Sequence, residues 1–399
     1  MIINKILNLV AELDFEPVKL TPEFCTRFRS SRSQCRLCQD NCPQEAIDLE
    51  KLKINYSACI NCGQCYNSCP NGAFKTNFAS NAKLIAEADK IKDKGFNSLN
   101  LACKRAKLSF KERRKTLHLN CLARLSETLL LYLSGEGFSY LQLKTGDCKK
   151  CNLQAGNLIS AVINNLEAIF SLLGIKKQVY LNSLPEKDLS EANLSDKLNF
   201  KQLEVESSDF KQEQSFGRRK VLDIFKEQIK KEFSKSADNQ TQKQLSKTDK
   251  KIFVERKFIF NLIKCYNINK EEIKDIELEK QDLFWQIKVN NNCSFCGSCA
   301  KLCPLGALNL VEATEKKELK FTPALCSGCQ LCVNSCSSRA IKVESLSKVE
   351  NLFPLAKQRI KLGKINNCSN CGTEFFTADK SDEAKCFGCL IQERVRKEN

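Results

Sequence analysis

The sequence predicts an α+β multidomain chain: two compact cysteine-rich modules flank a small parallel α/β domain, and a cysteine-knuckle tail follows. Three observations predict it. The chain carries 25 cysteines in 399 residues, far above ordinary usage. Most of them fall in short runs of fixed spacing toward the two ends. Between the runs, short apolar strands alternate with helical patterns, the signature of a parallel sheet. The expected units are residues 1–78 and 286–350 for the two modules, 79–183 for the α/β domain, 184–285 for a helical and linker region, and 360–399 for the tail.

The better-formed module reads Cys293-Ser-Phe-Cys296-Gly-Ser-Cys299-Ala-Lys-Leu-Cys303-Pro304, then Cys326-Ser-Gly-Cys329-Gln-Leu-Cys332-Val-Asn-Ser-Cys336. Three thiolates in one tight loop can take three corners of a [4Fe–4S] cubane. The fourth cysteine, a helical turn further on, points the other way and caps a second cubane. One cubane is therefore assigned to Cys293, Cys296, Cys299 and Cys336, and the other to Cys326, Cys329, Cys332 and Cys303. A pair of zinc knuckles is the plainer alternative, because C-x2-C pairs also bind zinc; eight cysteines in this register favour iron. Residues 290–345, including Pro304, Gly306, Ala307 and Leu308, resemble the dicluster ferredoxin family, whose bacterial-ferredoxin-like modules carry two [4Fe–4S] clusters. Ser337 stands where that family usually carries Pro, so a looser corner is expected there.

The N-terminal module is an imperfect echo. Its second half, Cys59-x2-Cys62-Gly-Gln-Cys65-x3-Cys69-Pro70, is complete. In its first half Cys35, Cys38 and Cys42 fill the second, third and fourth places, while Arg32 occupies the first. Cys25 is the expected substitute, reaching in across Thr26–Gln34. The proposed cubanes are Cys25, Cys35, Cys38, Cys69 and Cys59, Cys62, Cys65, Cys42; a [3Fe–4S] cluster or a spare thiol at Cys25 are the alternatives. The two modules amount to an internal duplication.

Between them, apolar stretches at Phe96–Ala102, Leu117–Asn120, Tyr140–Leu143 and Gln178–Asn182 read as strands, with helical patterns at 80–94, 122–134 and 157–173. Function in parallel sheets gathers at the carboxyl ends of the strands. Cys103, Cys121, Cys148 and Cys151 all fall there, so four scattered thiols can converge. A redox-active disulfide at Cys148-x2-Cys151 and plain buried cysteines are the rival readings. With Asn120-Cys121, Gly146-Asp147-Cys148 and Gly156-Asn157, this domain resembles the iron–sulfur delta subunit of methyl-viologen-reducing hydrogenase. That resemblance implies a [2Fe–2S] cluster on the four cysteines. Leu143 stands near where that family has a cysteine, and Cys151 appears instead.

Residues 184–285 are polar, with an apolar helix face from Val221 to Phe233, a linker at Ser234–Lys251, and a lone Cys265 expected in a core. The tail carries Cys368-Ser-Asn-Cys371 and Cys386-Phe-Gly-Cys389, the spacing of a zinc ribbon; a rubredoxin-like iron site uses the same ligands. The first 15 residues fit a short helix or a strand and lack a signal peptide's continuous apolar core. No run is long enough to span a bilayer, so a cytoplasmic location with reduced or metallated thiols is expected.

The formal charge of +17 invites a nucleic-acid reading. Bound thiolates reverse it. Each cubane with its four thiolates carries about −2, and the six expected centres remove roughly 12 charges. The basic excess therefore balances buried anionic clusters, and nucleic acid is not an expected partner. With one histidine, His118, and no GxGxxG or P-loop, histidine triads, catalytic zinc on histidines, Rieske centres and nucleotide sites are excluded. The reading is an electron carrier of an anaerobe, or the electron-transfer subunit of an oxidoreductase complex. It would hold four [4Fe–4S] clusters, a [2Fe–2S] cluster and Zn2+. The delta-subunit resemblance implies a hydrogenase, formate dehydrogenase or heterodisulfide-reductase-type partner. Two other readings stay open: a thiol or sulfur oxidoreductase acting at Cys103, Cys121, Cys148 and Cys151, and an iron–sulfur assembly or regulatory protein.

Overall fold

The computed structural model describes residues 17–77, 79–135, 138–176, 178–182, 254–265, 281–348, 352, 357–378 and 384–398. The expectations for residues 1–15, for the apolar face from Val221 to Phe233 and for the linker at Ser234–Lys251 lie outside them, as does the side chain of Cys265.

The N-terminal module is closed by an antiparallel pair, β1 (Val18–Leu20) with β4 (Phe74–Thr76), in the register Val18 to Thr76 and Leu20 to Phe74. Inside it, β2 (Ile47–Asp48) and β3 (Lys53–Ile54) form a short hairpin. The cysteine runs occupy the loops on either side of that hairpin. Val18, Ile47, Leu49, Tyr66 and Phe74 form its small core.

Next comes a parallel four-stranded sheet of β5 (Ser98–Cys103), β6 (Thr116–Leu119), β7 (Tyr140–Lys144) and β8 (Val179–Leu181), in the order β6-β5-β7-β8. Leu99, Leu101 and Ala102 on β5 are wholly buried, as a strand covered on both faces requires. The helices Asn81–Lys92, Glu127–Gly135 and Gly156–Leu172 cover the sheet. Ser80 caps the first, its hydroxyl accepting from the Lys83 amide at 3.3 Å. The pattern expected at 122–134 begins late: Leu122–Arg124 is a 3-10 turn, and the α-helix starts only at Glu127. The helix Val254–Cys265 buries Phe258, Ile259, Leu262 and Ile263 in the same core. A helix from the region expected to be helical and linker-like, beyond the linker at Ser234–Lys251, thus docks on the α/β domain.

The C-terminal module repeats the first. β9 (Trp285–Val289) pairs with β12 (Ile341–Ser345), and β10 (Leu308–Glu312) with β11 (Lys316–Phe321). Here the hairpin grows. β13 (Gln358–Asn367) pairs with β11 and β14 (Glu374–Thr377) with β13, so the tail continues the module's own sheet. The mixed α/β architecture, with a parallel sheet in the middle and cysteine modules at the ends, is the one the sequence predicts. Among the described residues, no helix is long and apolar enough to cross a membrane.

Candidate metal centres

In the first module Cys38 lies buried near Cys69, Cys35 and Cys25. Burial, then those three neighbours, push its thiol up to about 12. Cys25 therefore stands with the set the sequence assigned to it. It arrives on a 3-10 turn, Pro22–Phe24, with its amide donating to the Pro22 carbonyl at 2.8 Å. Cys326 arrives in the same way on Pro323–Leu325, its amide donating to the Pro323 carbonyl at 3.0 Å. The shared lead-in, Thr21-Pro22-Glu23-Phe24-Cys25 and Thr322-Pro323-Ala324-Leu325-Cys326, was available in the sequence and aligns Cys25 with Cys326 more directly than the gap at Arg32 does.

The partner set is Cys42, Cys59, Cys62 and Cys65, which line one cavity. Burial and then Cys62, Cys59, Cys42 and Cys38 push the Cys65 thiol strongly up, so the two sets of this module face each other through Cys65 and Cys38. In the C-terminal module, Cys303, Cys326, Cys329 and Cys332 line a second cavity. Cys299 is held up to about 12 by burial and by Cys293, Cys296 and Cys336. Cys332 is driven up by burial and by its own set, and it also faces Cys299 of the other.

The chemistry of these donor sets fits a cationic metal–sulfur core. Thiols such as Cys38, Cys65, Cys299 and Cys332, pushed up by burial and by their neighbours, become thiolates when a positive core replaces their protons. Backbone amides are already aimed at the sulfurs. Ala46, Ala73 and Ala340 donate to Cys42, Cys69 and Cys336, each at 3.3 Å and each four residues on. The loops are also shaped alike. Asn61 and Gly63, Phe295 and Gly297, and Gly328 and Gln330 all have positive φ, at the same two places in three triple-cysteine loops.

The α/β domain brings Cys103, Cys121, Cys148 and Cys151 to one cavity of about 320 Å3 at the carboxyl ends of β5, β6 and β7, and Cys62 of the first module lines the same cavity. This is where the strand order reverses, the usual place for a site in such sheets. Cys121 is buried and pushed up to about 11 by burial, with Cys62, Cys103 and Cys148 adding to it. The Gly146 amide donates to the Cys103 sulfur at 3.4 Å. Hydrogen bonds fasten this site to the neighbouring loop: Asn120 Nδ2 donates to the Asn61 carbonyl at 3.0 Å and to the Ile60 carbonyl at 3.3 Å, and Gln64 Nε2 donates to the Leu153 carbonyl at 2.8 Å.

The tail differs. The four sulfurs of Cys368, Cys371, Cys386 and Cys389 lie within 4.8 Å of one another, single-ion spacing, and no other such group occurs among the described residues. The Cys386 amide donates to the Cys368 sulfur at 3.2 Å and draws its thiol down. This donor set fits one tetrahedral ion of the zinc or ferrous kind.

Sequence reasoning missed two buried arginines at these sites. Arg124 lies along Gly63, stacks 3.8 Å over the Tyr66 ring, and donates to Thr76 Oγ1 at 2.9 Å and Asn81 Oδ1 at 3.0 Å. Arg256 donates from Nη2 to the Cys326 carbonyl at 2.6 Å. No sequence spacing announces either, because each comes from an element outside the module it touches.

Comparison with known proteins agrees with the ends of the chain. The 4Fe-4S binding domain matches residues 52–75, and the 4Fe-4S dicluster domain matches residues 292–340. The ferredoxin-type protein NapF of Haemophilus influenzae is 43% identical over 54 residues, which are 12% of this chain and 30% of that relative. The chain thus spans under a third of the relative's length. No solved structure matches. The two ends of this chain accordingly carry 4Fe-4S ferredoxin-type domains, the one at residues 292–340 of the dicluster kind.

Proposed function

We propose that the chain is an iron–sulfur electron relay in which five cysteine-bound centres stand in one line. When bound, each cluster would supply a one-electron carrier. The residues supply thiolates, amide donors to sulfur, and contact between successive sets. The order follows those contacts. The site of Cys103, Cys121, Cys148 and Cys151 adjoins Cys62. The set of Cys42, Cys59, Cys62 and Cys65 meets that of Cys25, Cys35, Cys38 and Cys69 through Cys65 and Cys38. Asn71, two residues after Cys69, accepts from Ser327 Oγ at 2.7 Å, beside Cys326 and Cys329. The last step runs from Cys332 to Cys299. The observation that carries the reading is this continuity from one cysteine set to the next across the two modules and the α/β domain.

Electrons would exchange with partner proteins at the two ends of the line. A hydrogenase, formate dehydrogenase or heterodisulfide-reductase-type subunit remains the partner class we favour for the end at the α/β domain. Its four cysteines line a cavity of about 320 Å3 there. Zinc in the tail is favoured for its closed four-thiolate spacing. The test is anaerobic purification with iron, sulfide and zinc counts and spin resonance. The relay predicts about 18 irons and one zinc per chain. About 16 irons without a [2Fe–2S] signal would turn the middle site toward thiol chemistry, and about 8 irons with several zincs would sink the relay.

A further inference from the structure

The contacts of Arg256 bear on the cluster at the junction of the two modules. The helix Val254–Cys265, which belongs to neither module, carries Arg256 inward to 5% exposure. Its guanidinium donates to the Cys326 carbonyl at 2.6 Å and lies 5.6 Å from the centre of the Phe284 ring. Its Nε has no hydrogen-bond partner among the described residues. Burial lowers its pKa to about 10, so it remains a cation at neutral pH. A buried cation without full compensation is costly unless negative charge faces it. Glu127 and Cys326 are the anionic groups that act on it electrostatically.

A cubane with four thiolates is a dianion, and accepting one electron adds a further negative charge. A fixed positive charge nearby stabilises that reduced state more than the oxidised one, and low-dielectric surroundings strengthen the effect. We propose that Arg256 raises the reduction potential of the cluster held by Cys303, Cys326, Cys329 and Cys332 above that of its module-mate on Cys293, Cys296, Cys299 and Cys336. This is the cluster that faces the first module across the Ser327–Asn71 contact. Arg256 is a positioning charge, and it makes the junction the place where electrons crossing between modules collect. The inference rests on the relay reading.

The test is a spin-resonance redox titration of the full holo-protein, after its iron and sulfide have been counted. Arg256→Gln lowers the midpoint of one cubane and leaves the others in place. Arg256→Lys, which keeps the charge, restores it most of the way. Glu127→Gln removes the opposing charge and moves the same cubane upward. A change in packing alone would not reverse sign between the two Gln variants. The inference is overturned if Arg256→Gln keeps its iron with an unmoved midpoint, or if the Lys and Gln variants at 256 shift alike. Should Arg256→Gln lose iron, an unmoved midpoint in Glu127→Gln overturns it equally. A wild-type protein lacking the cubane irons would instead fail the relay reading, and the iron count alone reveals that.

Discussion

At Cys25 and at Cys326 the chain arrives on the same proline-led turn and then does different things. After Cys326 two residues suffice to reach Cys329, with Gly328 and Gln330 turned to positive φ so that the loop can wrap. After Cys25 nine residues intervene before Cys35, and Arg36, in the place of Gln330, keeps φ at −133°. The longer path is no slack loop. It forms the short helix Thr26–Arg29, closes with Ser33 Oγ donating to Thr26 Oγ1 at 2.8 Å, and is anchored by Arg29 Nε on the Glu23 carbonyl at 2.7 Å. Its tip meets the other module: Ser335 Oγ contacts Ser30 Oγ at 3.3 Å, and Arg32 Nη1 donates to Ser337 Oγ at 2.8 Å. Arg32 and Ser337 are the two departures from the dicluster pattern, and they bind each other. The irregular run exchanges a tight cysteine loop for an inter-module contact.

The strongest way to break this comparison is to remove the first thiol of each run. Cys25→Ser is expected to abolish one cubane signal and about four irons, as Cys326→Ser does in the other module. If Cys25 is a spare thiol, its variant keeps full iron while Cys326→Ser does not. Anaerobic iron analysis beside spin resonance separates the outcomes.

That Cys25 stands beside Cys38 was legible as a gap in the spacing, and so were the eight-cysteine module at 293–336, the strand–helix alternation and the four thiols of the α/β domain. Cysteine spacing is a local code, and strand periodicity is read over a few residues, so both survive without a structure. What the sequence did not disclose depends on contacts between distant elements. Arg124 and Arg256 look like ordinary basic residues, and only tertiary packing buries them. The role of the insertion was equally hidden, because Ser337 lies 305 residues from Arg32. The tail's sheet, extending the second module through β13, follows from pairing that no local pattern announces.

The next effect in size concerns the loops themselves. At Gly328 an added Cβ would overlap the Trp285 indole, and at Gly63 it would lie 2.7 Å from Arg124 Cβ; both residues also have positive φ. Gly328→Ala and Gly63→Ala should therefore each cost roughly 3 kcal/mol, combining left-handed strain with a clash. Gly95, with φ +83° and nothing within 4 Å, is the control for strain alone, and Gly95→Ala should cost about 1 kcal/mol. Denaturant midpoints of holo-protein check the order. Arg36→Ala, in the irregular loop, should stay within about 0.5 kcal/mol, since its 3.3 Å pairing with Asp40 is solvent-exposed. A cost at Arg36 matching that at Gly63 would mean that the irregular loop is as tightly constrained as the regular ones.

The smallest effect is the most specific to the comparison. The Arg32–Ser337 hydrogen bond is exposed, so Arg32→Ala and Ser337→Ala should each cost less than about 1 kcal/mol. Their double variant should cost less than the sum, with a coupling of about 0.5 kcal/mol. Strict additivity would show that the two departures from the pattern are independent. The cycle is worth measuring beyond its size because the contact lies beside Cys336 on one side and leads into Cys35 on the other. A coupling confined to global stability makes the insertion a fastener between modules. A coupling that also appears in the rate of electron exchange between them makes it part of the path.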